Sequence, residues 1–583
     1  MTEISVRAGG AAGDGIASVG EVLSRSFSRL GLHVFGLNAY QSVIRGGHVW
    51  FQARAGREAV HSQGDRVDIL YALNRETVDV HAAFLRKAAC VVFDPEKFSV
   101  SPDDLPAGVV PVAVPTLELA RKYTTQSILQ NAAGLGATAF LAGIPLATLQ
   151  KVLADSFGRK TGDVVDWNLG AAADGYAYAQ SHASANDRAV GPAGPAKLLL
   201  AGNSAIALGA AAAGVKFLSQ YPMTPASSIM HWMAAHSHTL GVVVKQAEDE
   251  LAAINMAIGA SYTGVRSMTA TSGGGFALMV EALGMAGMTE VPLVVVESQR
   301  SGPSTGLPTK TEQGDLNMML GAGQGEFPRA ILAPSDALEA FQLTIKAFEL
   351  AEAWQTPILV ASDLHLSESF MTIDREAISF DVDIPSLFQV EPNGHDFKRY
   401  AYTDSGVSAR SLPGQPGLQY VAGSDEHDEK GHLLSDVRAG IPVWVAERNR
   451  MMEKRMRKLE GLRAALDAPA IEGPADADLT LIAWGSTIGA ARDALGLLAS
   501  QGHAVNLLAV RSVYPIRPEA FVGPLGRAKR TLLIEANFSG QFGRLLRAET
   551  GIHLPDRLLK YDGEPFYPAE IAGRAVEVLS HGG

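Results

Sequence analysis

Short apolar runs alternate with amphipathic or Ala-rich stretches along most of the chain. Ile4 to Ala8 reads as a buried strand and Ile16 to Leu30 as the helix after it, with a glycine-rich turn between. The alternation sharpens after residue 196. Lys197-Leu-Leu-Leu200 is an apolar run entering Gly202, and Ala205 to Gly214 is an Ala-rich helix. Strands are predicted at Val215 to Leu218, Val242 to Lys245, Arg266 to Thr271 and Pro292 to Glu297, with helices over Glu248 to Ser261 and Phe276 to Thr289. Apolar strands separated by helices predict a parallel sheet buried on both faces, with ligand loops at the strands' carboxyl ends. From Ser362 to Pro469 the pattern loosens, and one strongly charged helix is expected over Glu447 to Arg463. Alternation then resumes: strands Leu479 to Trp484, Val505 to Val510 and Thr531 to Glu535, and helices Ile488 to Ser500 and Phe542 to Thr550.

The Gly/Pro/Ala run Val190 to Ala196 marks a linker. The expected division is therefore an α/β domain over 1–189, the linker 190–196, a second α/β domain over 197–375, an extension with the charged helix over 376–470, and a third α/β domain over 471–583. A length of 583 residues suits such a count. The net charge of −12 argues against a non-specific nucleic-acid binder. Cys90 is the single cysteine, which excludes an intrachain disulfide, an iron–sulfur cluster and a Cys-based zinc site on this chain. The first residues lack a basic region followed by an apolar one, and Leu198 to Val215 is too short and soft for a membrane span. A cytoplasmic location with no membrane partner is the expectation.

Several loops carry candidate chemistry. Gly9-Gly10-Ala-Ala-Gly13-Asp14-Gly15 can turn backbone N–H groups toward an anion at a helix N-terminus. With Asn38 it imitates a GDG…NN thiamine–metal signature, but Ala39 stands where the second Asn belongs, and a tight turn or another anion site is expected. Arg45-Gly46-Gly47-His48 is a second permissive loop, suited to a hairpin turn or an anionic ligand. Tyr221-Pro222-Met-Thr224-Pro225 follows a strand, and its prolines hold the Thr224 hydroxyl stiffly. Glu248-Asp249-Glu250 opens a helix, where acids suit the macrodipole; one of them pointing into an apolar cleft would have its pKa raised for proton exchange with a heterocycle nitrogen. Thr271-Ser272-Gly273-Gly274-Gly275 allows a flat or anionic ligand to come close. The stretch from Glu297 to Asp315 gathers Arg300, Lys310, hydroxyls and an amide, a donor set for a small anionic substrate with Arg300 as the carboxylate clamp. Asp425-Glu-His427-Asp-Glu429 reads as a solvated turn rather than a metal centre, and no metal ligand is assigned to this chain.

Taken in order, Gly202 to Gly209, Tyr221 to Pro225, Gln246 to Glu250, Thr271 to Gly275 and Arg300 to Gly306 resemble the alpha subunit of the thiamine-dependent 2-oxoacid:ferredoxin oxidoreductases, and the likeness extends through Lys398-Arg-Tyr400, Pro413-Gly414 and Gly423 to Gly431. Trp484-Gly485-Ser486 and Glu535-Ala-Asn537…Gly540-Gln541 resemble that subunit's transketolase C-terminal-like domain. The N-terminal unit resembles the family's gamma domain, fused ahead as in the 2-oxoglutarate enzymes. Gly274 replaces a usual Pro, and Met223 a common Ile.

The resemblance implies a fold of three α/β domains, the central one thiamine-pyrimidine-binding-like. It implies that Glu248, with Glu250 as the alternative, bonds the aminopyrimidine. Thr224 and Arg300 then bind the 2-oxoacid, while Tyr221, Pro222, Ser272 and Gly273 line the cofactor. Arg45, Gly46, Gly47 and Lys310 are candidates for coenzyme A or interface contacts. The implied reaction is decarboxylation of 2-oxoglutarate with coenzyme A to succinyl-CoA and CO₂, reversible as carboxylation, with electrons passing to ferredoxin. Thiamine diphosphate would be shared with a beta subunit holding the diphosphate, Mg²⁺ and a 4Fe–4S cluster, in a heterotetramer of two alpha and two beta chains. Pyruvate or branched 2-oxoacids, and a non-catalytic assembly role, remain the alternatives.

Overall fold

Strands Glu3–Ala11 and His48–Gly56 pair antiparallel along their whole lengths, and an eight-stranded mixed sheet is built outward from them. In the computed structural model, which describes residues 3–41, 47–158, 162–386, 388, 397–435 and 441–580, the chain forms two units. The first comprises residues 1–201, 368–378 and 567–570. Its sheet runs in the order 110–113, 85–93, 67–72, 3–11, 48–56, 33–39, 370–373 and 198–201. Helix Ile16–Arg29 lays Ile16, Val19, Leu23 and Phe27 on the core. Helices Gln130–Ala142 and Gly162–His182 pack at backbone contact: a Cβ at Gly136 or Gly175 would sit 2.0 Å from a carbonyl oxygen of the other helix.

The glycine turn ahead of the first helix closes on itself. Asp14 Oδ2 accepts from the Ala11 backbone N–H at 2.9 Å, and Asn131 Nδ2 donates to the Asp14 carbonyl at 2.7 Å. Asn38 lies within strand His33–Ala39, opposite Phe51. The motif that imitates a thiamine–metal site is a strand-to-helix turn.

The structure draws the unit boundary later than the linker suggests. Leu198–Ala201, expected to open the second domain, pairs with Phe370–Ile373, which pairs with the strand His33–Ala39. A four-residue apolar strand joins whichever edge its backbone can pair with, and here that edge belongs to the N-terminal sheet.

The second unit comprises 202–367, 379–566 and 571–583. Its larger sheet has the order 512–514, 330–332, 357–363, 293–299, 267–271, 217–220 and 243–246. All pairs are parallel except the first, in which Tyr514 and Ser512 lie opposite Ile331 and Leu332. A five-stranded sheet follows, in the order 470–472, 505–510, 479–484, 531–535 and 557–559. Strand Ser512–Tyr514 thus runs from one sheet's territory into the other's. One buried cluster continues across both, from Ile331, Leu359 and Phe276 to Trp484, Leu508 and Phe542.

The charged helix is longer than expected, Ile441–Ala465. Its Lys454 and Lys458 ammonium groups, both buried, meet the carboxyl of fully buried Glu290 at 2.6 and 2.5 Å. Among the described residues, no helix is long and apolar enough to cross a membrane.

Candidate functional site

Strands Ser267–Thr271, Phe217–Gln220 and Val243–Gln246 are neighbours in that order, so the loops at their carboxyl ends line one edge of the sheet. The loop after the middle strand is fixed from below. Asn203 Nδ2 donates to the Pro225 carbonyl and to Ser228 Oγ, both at 2.8 Å, and Gln220 Nε2 donates to the Ala226 carbonyl at 2.9 Å. Tyr221 is 36% exposed at the rim, and Pro222 and Thr224 are half-buried.

Arg300 reaches this loop from the end of strand Leu293–Gln299, donating from Nη1 to the Thr224 carbonyl at 2.8 Å. The two residues expected to hold the substrate are therefore in contact. That bond uses one of five guanidinium donors, and the half-buried head keeps others for an anion. Burial lowers the Arg300 pKa, against the pull of the Asp315 carboxyl.

The acidic triplet is arranged differently from the expectation. The helix runs over Glu250–Tyr262 and begins two residues later than predicted, because Asp249 is its N-cap and accepts from the Ala252 backbone N–H at 2.7 Å. Glu248 is left exposed in the preceding loop, beside an edge strand whose Val243 is 61% exposed. The acid that burial selects is Glu250, which is 3% exposed and has no donor at Oε1. Burial raises its pKa, and the Asp249 carboxylate adds to the rise. Of the triplet, the buried carboxyl with the raised pKa is Glu250, while Glu248 is exposed.

The glycine turn is shaped around acids. Ser272 caps helix Gly273–Met288 and is fully buried, with an Oγ that meets no partner. A Cβ at Gly275 would lie 2.1 Å from Thr271 Oγ1 and 2.5 Å from Glu250 Oε1, and one at Gly273 would lie 2.4 Å from Asp315 Oδ2. Gly274 is open, with nothing within 4 Å of an added Cβ.

Asp315 ends a strap tied to the C-terminal sheet. Gln313 donates from Nε2 to the Trp484 carbonyl at 2.9 Å and from its backbone to Ala536 at 2.6 Å, and Gln541 donates to the Gly314 carbonyl at 2.6 Å. Three acids gather there, Glu297 and Asp363 buried and Asp315 half-buried. Asp363 accepts from Ser486 Oγ at 2.5 Å and from the Leu366 backbone N–H at 3.0 Å. Sequence reasoning marks the stretch from Glu297 to Asp315 for its donors and misses that its two end acids gather with Asp363. The signal for that gathering was an acid and two polar residues, Glu297-Ser298-Gln299, continuing an apolar run inside one strand.

Of the remaining candidates, Lys310 forms an ion pair with Glu564. Gly47 is exposed with φ +76°, while Arg45 and Gly46 lie outside the described residues. The Asp425 to Glu429 cluster is bound internally rather than solvated. Glu426 takes a two-pronged bond from Arg455, and Glu429 pairs with Lys398; His427 is buried, its ring nitrogens at the Asp428 and Met288 carbonyls.

Comparison with known proteins places the chain in a family. Residues 208–441 match the family described as pyruvate flavodoxin/ferredoxin oxidoreductase, thiamine diphosphate-binding, and residues 5–178 match pyruvate ferredoxin/flavodoxin oxidoreductase. A 2-oxoacid:ferredoxin oxidoreductase alpha subunit from a Sulfolobus species is 33% identical, the match covering 98% of this chain and 96% of that protein. The 2-oxoglutarate oxidoreductase subunit KorA of Mycobacterium tuberculosis is 29% identical over 100% of this chain and 92% of its own. The solved 2-oxoglutarate:ferredoxin oxidoreductase of Magnetococcus marinus, with 2-oxoglutarate, coenzyme A and succinyl-CoA bound, is 34% identical and covers both chains completely, with a TM-score of 0.92. The chain belongs to the alpha-subunit family of the 2-oxoacid:ferredoxin oxidoreductases, enzymes that act on an oxo group with an iron–sulfur protein as acceptor.

Proposed function

We propose that this chain is one half of the active site of a 2-oxoglutarate:ferredoxin oxidoreductase. The observation that carries the reading is the contact of Arg300 with the Thr224 carbonyl, at the same sheet edge as the helix start that buries the Glu250 carboxyl. Arg300 clamps the 2-oxoacid carboxylate and the Thr224 hydroxyl orients its carbonyl. The preference for 2-oxoglutarate over pyruvate or a branched 2-oxoacid is supported by the fused N-terminal domain, the long loop from Arg300 to Asp315, and the names of the 2-oxoglutarate relatives.

The residues present fit the pyrimidine half of thiamine diphosphate. A ring of that kind needs a carboxylate at one nitrogen and a backbone it can approach closely. Glu250, buried with an Oε1 that meets no donor and would lie 2.5 Å from a Cβ added at Gly275, offers the first rather than exposed Glu248, and the turn from buried Ser272 with its unpaired Oγ to open Gly274 offers the second. When bound, this cofactor supplies the electron sink that lets a 2-oxoacid lose CO₂. Glu250 would hold a proton at the pyrimidine ring nitrogen, Tyr221 and Pro222 would wall the site against water, and Ser272 and Gly273 would set the ring's approach.

The diphosphate, its Mg²⁺ and a 4Fe–4S cluster are assigned to a beta subunit, coenzyme A takes the acyl group, and ferredoxin takes the electrons. Cys90 supports this division, since one thiol that is 6% exposed cannot ligate a cluster. A heterotetramer of two alpha and two beta chains, in the cytoplasm, completes the reading. The test is product identity. The alpha–beta complex is given equal amounts of 2-oxoglutarate, pyruvate and a branched 2-oxoacid with coenzyme A and an electron acceptor, and the thioesters are weighed by mass spectrometry. Succinyl-CoA should dominate; acetyl-CoA or a branched thioester in excess would refute the substrate assignment.

A further inference from the structure

Glu297 sits at the carboxyl end of the central strand Leu293–Gln299, flanked by Thr271 and Ala361 of the neighbouring strands. It is fully buried, and neither carboxyl oxygen meets an N–H or O–H donor. Alternate residues of a strand share a face, so Gln299 lies on the same side as Glu297. Gln299 Oε1 accepts from the Asp315 backbone N–H at 3.1 Å and thereby sets Asp315 over that face. The two carboxyls meet there, with Asp315 pressed against Gly273 and within the electrostatic reach of Arg300. Two acceptors form no hydrogen bond without a proton between them, and two adjacent carboxyls, one of them fully buried, do not both ionise. The charged groups facing Glu297 are Asp315 and Asp363, both acids, whereas Asp315 is also faced by a cation.

We propose that Glu297 is a positioning residue, kept as a neutral carboxylic acid that donates its proton to Asp315, so that a single negative charge stands behind Arg300. The proposal rests on the reading that Arg300 takes the 2-oxoacid carboxylate. With one counter-charge the guanidinium is oriented yet still open to an anion. With two it is held by the protein, and the substrate has to compete.

The electrostatics agree. Burial raises the Glu297 pKa well above the usual range, with Asp315 and Asp363 adding to it. Burial also raises Asp315, opposed by Glu297 and Arg300; Glu312, likewise raised by burial, is the other acid near it. Loss of the Glu297 proton adds a negative charge beside Arg300, so KM for the 2-oxoacid should rise as pH increases through that ionisation.

The experiment is the pH dependence of KM for 2-oxoglutarate in the alpha–beta complex, read together with the infrared carbonyl band of a neutral carboxylic acid. The unaltered complex should show the band at neutral pH and a KM that climbs on the alkaline side, by up to about tenfold per pH unit for one linked proton. Glu297→Gln, a permanent neutral donor of the same shape, should lose the band and flatten the climb. Asp315→Asn should keep the band, because burial still holds the Glu297 proton, but shift its frequency as the acceptor changes from carboxylate to amide. A Glu297→Gln complex that keeps the alkaline climb, or that loses no neutral-acid band, overturns the proposal. Arg300→Lys with unaltered KM would refute the substrate reading instead, and the band would still decide the acid pair.

Discussion

Arg300 and Thr224 lie 76 residues apart in sequence and touch at 2.8 Å, guanidinium Nη1 to backbone carbonyl. The contact joins the end of one strand to the loop of another, two places across the sheet. It brings a cation and a hydroxyl-bearing residue to one point, as recognition of a 2-oxoacid requires. Replacing Arg300 by Lys keeps the charge and loses the fork. We expect a loss of about 1.5–3 kcal/mol in 2-oxoacid binding, the worth of a charged hydrogen bond, hence KM raised about tenfold or more. Steady-state kinetics of the alpha–beta complex reads this directly.

The glycine turn makes a second prediction, on stability. Gly275→Ala drives a methyl group into Thr271 and Glu250, and overpacking of this kind costs about 1–3 kcal/mol. Gly274→Pro should do the opposite. Position 274 is in the first turn of helix Gly273–Met288, where proline is accepted, and no atom lies within 4 Å of an added Cβ. A gain of about 0.4–1 kcal/mol is expected from the stiffer unfolded chain. Thermal melting of the two variants should move in opposite directions.

A third prediction concerns the buried charges under the long helix. Glu290 ionises well below the usual range: burial opposes the charge, but Lys454, Lys458 and Arg399 outweigh it. Burial brings Lys458 down to about 7, against the pull of Glu290. A lysine whose folded pKa lies below its unfolded value binds its proton more weakly in the folded state. Stability should therefore rise with pH from about 7 toward the unfolded value of 10.5. Lys458→Met should flatten that rise and leave neutral-pH stability within about 1 kcal/mol of the parent. Glu290→Gln strands two buried ammonium groups and should cost about 3–5 kcal/mol. Melting temperatures across the pH range check all three statements.

Much of the fold was legible because local signals and tertiary pairing agree. Leu479–Trp484, Val505–Val510 and Thr531–Glu535 appear in the structure with the predicted bounds, each an apolar run stopped by polar or glycine residues. Leu198–Ala201 shows the limit. Its sequence marks a strand, but its partner, Phe370–Ile373, is more than 160 residues away, and nothing local names it. The site divides the same way. Thr224, Arg300 and the Ser272 turn stood out as loop chemistry after strands. The direction of each acid in Glu248-Asp249-Glu250 did not, because it depends on which residue caps the helix. Glu297 was hidden inside what read as an apolar strand, its carboxyl partner 18 residues on, held by Gln299.

The central claim is that this sheet edge is half of a working active site and that Glu250, buried in this chain with an unpartnered Oε1, carries the proton exchange. Viologen reduction by the alpha–beta complex with 2-oxoglutarate and coenzyme A tests it, using Glu248→Gln and Glu250→Gln side by side. General acid–base groups are typically worth about 10²- to 10⁴-fold. We predict that Glu250→Gln lowers kcat by at least about 10²-fold, whereas Glu248→Gln, a change at an exposed position, lowers it by less than about tenfold. Unchanged turnover in Glu250→Gln, or the larger loss in Glu248→Gln, would contradict the account.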